Sequence, residues 1–349
     1  MLGRLMRRVF SKYVAAVILL VLIVSGVFAL YAYLNEPTSR DRNFHQFEKV
    51  DRSQKSFSFA VFGDNKESVK TFGGMIDRLN KSNIAFAFDD GDLVLDGDIE
   101  QYRFFLKQAD KLNKPLLTAI GNHETYLNGR GNYFDLFGPF NYSFVIGRSY
   151  FIVCDNADER GLGGFQMEWL RGELEKSSAY QNRFVFMHVP LYDPRADKQG
   201  LEHGLKDPVQ AKAINDLLDR YDVTMLFTSH IHGYFKGTWG KTPYIITGGA
   251  GAELVGTDAA NYFYHYIDVS VSDSGVSYDV VKVPSPGDNY IARLLHNLWL
   301  YTYAFLALHF FDIVLGLCGL YLVLFVLYWL EKRIERRGAK KAVGSNPES

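Results

Sequence analysis

The sequence predicts an α/β fold with two sheets face to face, helices outside them and a transmembrane helix at each end. Three observations carry this. From residue 57 to residue 120, short apolar runs alternate with amphipathic segments, the pattern of a parallel βαβαβ core. After residue 223 the pattern changes to strands and turns, which suggests a second sheet. At each end, a run of about twenty apolar residues adjoins a cluster of Lys and Arg.

The chain has 349 residues, of which 48% are apolar, ample for one substantial domain with additions. Its net charge of −1 gives no reason to expect a nucleic-acid partner. Cys154 lies in a strand-like run and Cys318 in a membrane-like run, so no disulfide is expected between them.

Residues 1–12 form a basic N-terminus with Arg4, Arg7, Arg8 and Lys12. Residues 13–34 are uninterrupted apolar sequence, longer than the apolar region of a signal peptide and without a small-x-small cleavage site before Asn35. They read as an uncleaved anchor. Residues 35–55 are polar, contain one proline, and read as a tether to a domain over 56–288. Phe57–Phe62 is the first strand and ends at Gly63-Asp64-Asn65-Lys66. Residues 68–81 have helical spacing in Val69, Phe72, Met75, Ile76 and Leu79. A strand over 84–88 ends at Asp89-Asp90-Gly91-Asp92. After a helix over about 99–112, a strand over 115–120 ends at Gly121-Asn122-His123-Glu124.

Residues 132–138 suggest a short helix with an aromatic face. Residues 141–146 and 149–155 suggest a hairpin turning at Gly147-Arg148. An amphipathic helix is expected over 166–176 (Met167, Trp169, Leu170, Leu174). A strand over 183–187 delivers His188, and a long polar loop over 190–207 contains His203. A helix over 208–220 precedes a strand over 223–228, which delivers Ser229-His230-Ile231-His232. Strands at 242–247, 261–271 and 275–283 complete the domain.

Residues 310–330 are apolar apart from Asp312 and read as the second transmembrane helix. The tail over 331–349 is basic through Lys332, Arg333, Arg336, Arg337, Lys340 and Lys341. Positive clusters mark the cytoplasmic side, so both termini are expected there and the domain outside the cytoplasm. Residues 289–309 are apolar but hold Arg293, His296, Asn297 and His309. A continuous helix from 291 to 330 would be about 60 Å long, roughly twice the hydrocarbon core. Residues 289–309 therefore read as a membrane-proximal helix, lying on the bilayer surface or packed on protein. His309 and Asp312 share a helix face and are expected to pair. Membrane lipids are the partners these helices imply.

Five strand ends carry Asp64, Asp92, Asn122–His123, His188 and His230–His232. In an open α/β sheet, ligands collect beyond the carboxyl ends of the strands. Carboxylates, an amide oxygen and imidazoles suit Mn, Fe, Zn or Co. The set is too large for one tetrahedral site. A carboxylate bridging two ions explains the number, and paired ions recur in phosphoester hydrolysis. Taken singly, Gly-Asp and Gly-Asn are also ordinary turn pairs. The ordered set of five is what points to chemistry.

In these motifs the chain resembles the calcineurin-like metallophosphoesterase superfamily, over about residues 57–283. Gln166-Met167-Glu168-Trp169-Leu170, His188-Val189-Pro190-Leu191-Tyr192 and Thr247-Gly248-Gly249-Ala250-Gly251 add to the likeness. The resemblance implies a four-layer α/β/β/α sandwich with a centre of two divalent metal ions at the sheet edge. It implies Asp64 and His232 on the first ion, Asn122, His188 and His230 on the second, and Asp92 as the bridge. His123 would be the catalytic residue, donating to a phosphoryl or leaving-group oxygen, and Glu124 would orient it. The metals would lower the pKa of a bridging water, so that a hydroxide attacks phosphorus in line.

Two departures stand out. The superfamily's first motif is usually Asp-x-His, and that His falls at Lys66. The purple acid phosphatase branch lacks this His too, but has a tyrosine three residues after the bridging Asp, where this chain has Leu95. The first site is thus one protein ligand short, open to an extra water, to weak binding or to the Lys66 charge in its place. Ser229 also stands where the superfamily usually has glycine.

His203 could reach the mouth of the site, although a solvated loop position is the plainer reading. His45, His265 and His296 have no partner motif. The expected function is a membrane-anchored metal-dependent phosphoesterase acting on a phosphomonoester or phosphodiester, including a lipid-linked or headgroup phosphate. The alternative is a non-catalytic binding module with a degenerate first metal site, which Lys66 favours and the seven retained motif residues oppose.

Overall fold

The structure, a computed structural model, describes residues 10–34, 40–66, 68–195, 203–285 and 290–343. The chain divides into two compact units. One comprises Met1–Pro37 with Phe305–Ser349, and the other Thr38–Ala304.

In the larger unit, β1 (Phe57–Phe62), β2 (Phe86–Asp89) and β3 (Leu116–Thr118) are parallel neighbours. β10 (His265–Ser272) and β11 (Gly275–Lys282) extend this sheet antiparallel from the β1 edge, in the order β11-β10-β1-β2-β3. The second sheet has the order β4-β5-β6-β7-β9-β8. Its parallel centre is β5 (Ser149–Cys154), β6 (Asn182–Met187), β7 (Met225–Thr228) and β9 (Thr242–Thr247). β4 (Tyr142–Ile146) and β8 (Tyr234–Trp239) are its antiparallel edges.

Strand alternation explains how the layers close. Phe59 and Val61 of β1 face the second sheet, while Ala60 and Phe62 face the helices. The core between the sheets is rich in phenylalanine, with Phe59, Phe86, Phe88, Phe151, Phe184, Phe186 and Phe227 all fully buried. Each such ring contributes about 1.5–3 kcal/mol relative to exposure. Phe144 and Phe151 stack at 4.6 Å, and Phe88 and Phe186 meet at 4.0 Å.

Two further cores pack helices on the outer faces. α3 (Val69–Leu79), α4 (Ile99–Ala109) and α5 (Gly129–Phe137) cover the first sheet. α6 (Gly164–Ser177) and α7 (Pro208–Arg220) cover the second. Asp98 and Asp207 cap α4 and α7 with side-chain oxygens. The layering is α/β/β/α with two mixed sheets.

Several expectations need correction. Within the segment expected as a tether, α2 (Arg42–Phe47) packs into the domain. Asn43 is buried, accepting from the Thr118 N–H at 2.9 Å and donating to the Thr118 carbonyl at 3.2 Å. It pairs with the outer edge of β3 as a neighbouring strand would. Val50 joins the core between the sheets. The sequence does not announce the edge strand β8, because its exposed run of Lys236, Gly237 and Thr238 shows no apolar alternation. β10 begins at His265, later than the residue-261 start expected.

The membrane-proximal segment is α8 (Tyr290–Leu308). Within the larger unit it is protein-packed. Arg293 donates to the Gly256 carbonyl, His296 Nε2 lies 3.1 Å from the Tyr264 hydroxyl, and Tyr301 donates to Glu253.

The smaller unit holds α1 (Lys12–Leu34) and α9 (Phe310–Val343), with the end of α8. Phe10 stacks on Tyr321 and Tyr328 at 5.7 and 5.1 Å. His309 and Asp312 pair at 3.5 Å as expected. By length and composition one helix qualifies as a membrane span among the described residues, Phe310–Gly338. The apolar stretch found in α1, Lys12–Val27, is too short to qualify, so two flanking spans are reduced to one. Arg4, Arg7, Arg8 and the end of the basic tail lie outside the described residues.

Candidate metal centre

The carboxyl ends of β1, β2, β3, β6 and β7 converge, and each delivers the side chains expected of it. Asp64, Asp92 and His230 adopt left-handed backbone conformations, with φ of 59°, 58° and 66°. Such conformations are uncommon for residues other than glycine, and they cluster where a fold fixes functional groups. Gly91 and Gly121 let the loops close. A Cβ at Gly91 would come within 2.6 Å of His188 Nδ1, and one at Gly121 within 2.3 Å of Asp92 Oδ1.

Asp92 is buried at the centre. Its Oδ1 accepts from the His123 N–H at 3.0 Å and lies 3.2 Å from His188 Nε2. Its Oδ2 accepts no hydrogen bond among the described residues. Burial opposes ionisation of Asp92, but His188 and Lys66 outweigh it and hold the carboxyl well below its usual range. His188 donates Nδ1–H to the Asp90 carbonyl at 2.8 Å, which turns Nε2 towards Asn122 Oδ1 at 3.1 Å. The same Asn122 oxygen is 2.9 Å from His230 Nδ1. Burial lowers the His188 pKa, but Asp92 outweighs it and raises it to about 10. Positive charge is therefore drawn to the His188 Nε2 lone pair, as a proton or as a metal ion. Burial and the neighbouring His188 push His230 down to about 3, which keeps its imidazole neutral and able to ligate.

Asp64 is held through one oxygen. Oδ2 accepts from Ser229 Oγ at 2.5 Å and from the His230 N–H at 2.8 Å. The serine that replaces the expected glycine thus fixes this carboxylate. Asp64 Oδ1 accepts no hydrogen bond among the described residues and lies 3.5 Å from His232 Nε2. Burial opposes ionisation of Asp64, but His232 outweighs it and lowers the pKa. His232 donates Nδ1–H to the Glu253 carbonyl at 2.7 Å.

Two groups able to hold a metal ion follow, and they share Asp92. One is Asp92, His188 and His230, and the other is Asp64, Asp92 and His232. In each, the ligand atoms lie within 4.8 Å of one another. The first group fits an ion well. With Asn122 it converges four donors of the types that Mn, Fe, Zn and Co accept. The second fits less well, because Lys66 Nζ lies 2.9 Å from His232 Nε2 and 3.4 Å from Asp92 Oδ2. Burial lowers the Lys66 pKa, but Asp92, Asp64 and Glu253 outweigh it and raise it.

His123 stands at the mouth. Its Nδ1 donates to the Leu95 carbonyl at 2.5 Å, and Nε2 lies 3.8 Å from Asp92 Oδ2. Glu124 does not orient it, contrary to expectation. The buried Glu124 carboxylate accepts from the N–H groups of Gly121, Asp92 and Val94 at 2.7, 2.9 and 3.1 Å. It ties the β2 loop to the β3 loop. Burial and Asp92 push its pKa up to about 7.

A cavity of about 390 Å³ opens over the centre. Lys66, Asp92, Asn122, His123, His230 and His232 line it, with Glu159, Arg195, His203 and Glu253 around them. His203, for which the sequence allowed either the mouth of the site or, more plainly, a solvated loop position, has its ring 5.4 Å from that of His230. Asp193 explains this placement, because it accepts from the His203 N–H at 3.1 Å and holds the Arg195 guanidinium at 2.6 Å. Arg195, Glu159 and Glu253 went unseen in the sequence. The only pointer was the glycine tract 248–251 just ahead of Glu253. Residues 196–202 of this loop lie outside the described residues.

Residues 57–234 match the profile of the calcineurin-like phosphoesterase family. A probable cyclic nucleotide phosphodiesterase of Xenorhabdus bovienii is 26% identical over 166 residues, 44% of this chain and 63% of that protein. The purple acid phosphatase PPD1 of yellow lupin (Lupinus luteus) superposes with a TM-score of 0.53 at 18% identity. That likeness covers 70% of this chain and 56% of the lupin chain. PhoD superposes with a TM-score of 0.51 at 11% identity, over 74% of this chain and 79% of PhoD. The chain thus spans less than two thirds of the Xenorhabdus and lupin proteins. The two structural likenesses are likenesses of fold.

Proposed function

This chain belongs to the calcineurin-like phosphoesterase family, and we propose that it is a metal-dependent phosphoesterase whose residues divide the work as follows. A divalent ion is held by Asp92, Asn122, His188 and His230. Asp64 and His232, with Asp92, form the neighbouring position, which the family resemblance would fill with a second ion. The observation that carries this is the sharing of one buried carboxylate, Asp92, between two ligand groups under one cavity.

A divalent ion there supplies Lewis-acid stabilisation of phosphoryl oxygens and a water made acidic enough to attack near neutral pH. The chain's own residues do the rest. Asn122 and the His188–Asp90 hydrogen bond fix the ligand geometry, which spares reorganisation during reaction. His123 is the catalytic residue. Its Nδ1–H is given to the Leu95 carbonyl, so Nε2 is the nitrogen left to face the leaving-group oxygen, to which it can donate a proton only as imidazolium. Lys66 and Arg195 set positive charge on the cavity wall, where it offsets the charge of a phosphate ester.

The substrate is a phosphomonoester or phosphodiester. The name of the Xenorhabdus relative supports including diesters. α9 anchors the chain, with its basic C-terminal flank in the cytoplasm and the domain that precedes it outside. This favours a lipid-linked or headgroup phosphate as substrate. Protease added to intact cells should cut the domain, and full protection would overturn the orientation. Asp92→Asn tests the chemistry. It should lower kcat by about three orders of magnitude or more, because the carboxylate serves both ligand groups. Near wild-type turnover in that variant would refute the assignment.

A further inference from the structure

The position between Asp64, Asp92 and His232 already has a cation of the chain's own. The His232 tautomer is fixed, because Nδ1–H is given to the Glu253 carbonyl at 2.7 Å. The Nε2 lone pair is therefore the only ligating atom His232 can offer. Lys66 Nζ donates into that lone pair at 2.9 Å. An ion held on an imidazole nitrogen sits about 2.0–2.1 Å away, well inside contact distance of an ammonium nitrogen on the same lone pair. The two occupants exclude each other by space and by charge.

Lys66 is not a surface lysine that has folded inwards. It is buried, and its own N–H is bound to the Asp92 carbonyl at 3.1 Å. Its backbone is left-handed, with φ of 37°, and this directs the side chain back over the centre. Its ammonium is 3.4 Å from Asp92 Oδ2, one of the two carboxylate oxygens there without a hydrogen-bond donor among the described residues. The other is Asp64 Oδ1. Buried carboxylates need a compensating cation nearby, and Lys66 provides one.

We infer that this chain has a one-metal centre: the Lys66 ammonium takes the place of one ion, and the single divalent ion sits on Asp92, Asn122, His188 and His230. The inference rests on the phosphoesterase reading above and narrows it. The ammonium carries one positive charge where a metal carries two, and it has hydrogens to donate. It is thus suited to hold a phosphoryl oxygen but offers no coordination position for a water. Asp64 and His232 become positioning residues for Lys66.

The test uses the full chain in detergent, stripped with a chelator, reloaded with excess Mn²⁺ and desalted. Metal content and the Mn²⁺ electron paramagnetic resonance spectrum are then read. The wild type should retain close to one ion per chain and give the signal of an isolated ion. His232→Ala should still retain that ion, and His230→Ala should lose it. Lys66→His and Lys66→Ala should each rise to about two ions, with a spin-coupled signal. A wild type that holds about two coupled ions overturns the inference and leaves the phosphoesterase reading standing. Variants at Lys66 that fold and stay at one ion overturn the claim that the ammonium excludes the second. A folded wild type that holds no ion and hydrolyses neither a phosphomonoester nor a phosphodiester sinks the phosphoesterase reading itself.

Discussion

Replacing Asn43 with alanine should destabilise the domain by about 2–4 kcal/mol. The figure follows from which groups lose a partner. Asn43 Oδ1 accepts from the Thr118 N–H at 2.9 Å, and Asn43 Nδ2 donates to the Thr118 carbonyl at 3.2 Å. In the alanine variant that carbonyl keeps the hydroxyls of Tyr133 and Tyr142, at 3.0 and 2.8 Å. The Thr118 N–H keeps no acceptor among the described residues. A buried donor left without an acceptor costs about 1–3 kcal/mol, and the lost bond adds about one more. Asn43→Asp keeps the acceptor but turns a second oxygen towards the carbonyl and buries a charge, so it should cost at least as much. Asp110→Asn is the control. It breaks the Arg42 ion pair of the same helix, but Asp110 is half exposed, and such pairs contribute about 0–1 kcal/mol. Urea unfolding of the full chain in detergent, followed by near-ultraviolet circular dichroism, reads all three. A loss below about 0.5 kcal/mol in Asn43→Ala would refute the view that α2 closes the β3 edge. It would restore the segment to the status of a tether.

Two further outcomes follow from the site and the core. His123→Ala should reduce kcat by about 10²–10⁴ while metal content stays at the wild-type value, because His123 is no ligand. A parallel loss of metal would show that it is one. His265 is fully buried, donating to the Phe263 carbonyl and lying 3.2 Å from Thr247 Oγ1. Burial pushes its pKa from 6.5 to about 4, so the unfolded chain takes up this proton before the folded one. Stability is fully present above about pH 6.5 and declines as pH falls towards 4, by about 3 kcal/mol in all. His265→Asn should flatten the unfolding free energy over that interval, and an unchanged slope would contradict the assignment.

The five strand ends were legible because a parallel sheet aligns its carboxyl ends. A short apolar run followed by Gly-Asp or Gly-Asn-His therefore gives both the strand and the direction of its last side chain. The same rule is silent on side chains brought in by loops. Arg195 and His203 reach the cavity through Asp193, and Glu253 through an irregular segment after β9, with no periodicity to announce either. Polar sequence misleads where polarity serves burial. Asn43 reads as linker and is in fact a surrogate strand partner. Glu124 reads as a partner of His123, yet its carboxylate goes to three backbone donors that only the folded loops bring together. Lys66 was legible as a poor ligand, but that its ammonium lies on the His232 lone pair needed coordinates. α1 shows the opposite limit, since residues 13–34 read as a span while the apolar stretch found in the structure is shorter.

The measurement that bears most directly on the phosphoesterase assignment is turnover as a function of metal. The full chain in detergent is stripped and reloaded in turn with Mn, Zn, Fe, Co and Mg, then given a chromogenic phosphomonoester and a chromogenic phosphodiester. Hydrolysis of at least one ester should return with metal and be lost in His123→Ala. A folded chain that binds these ions and hydrolyses neither ester would contradict the account.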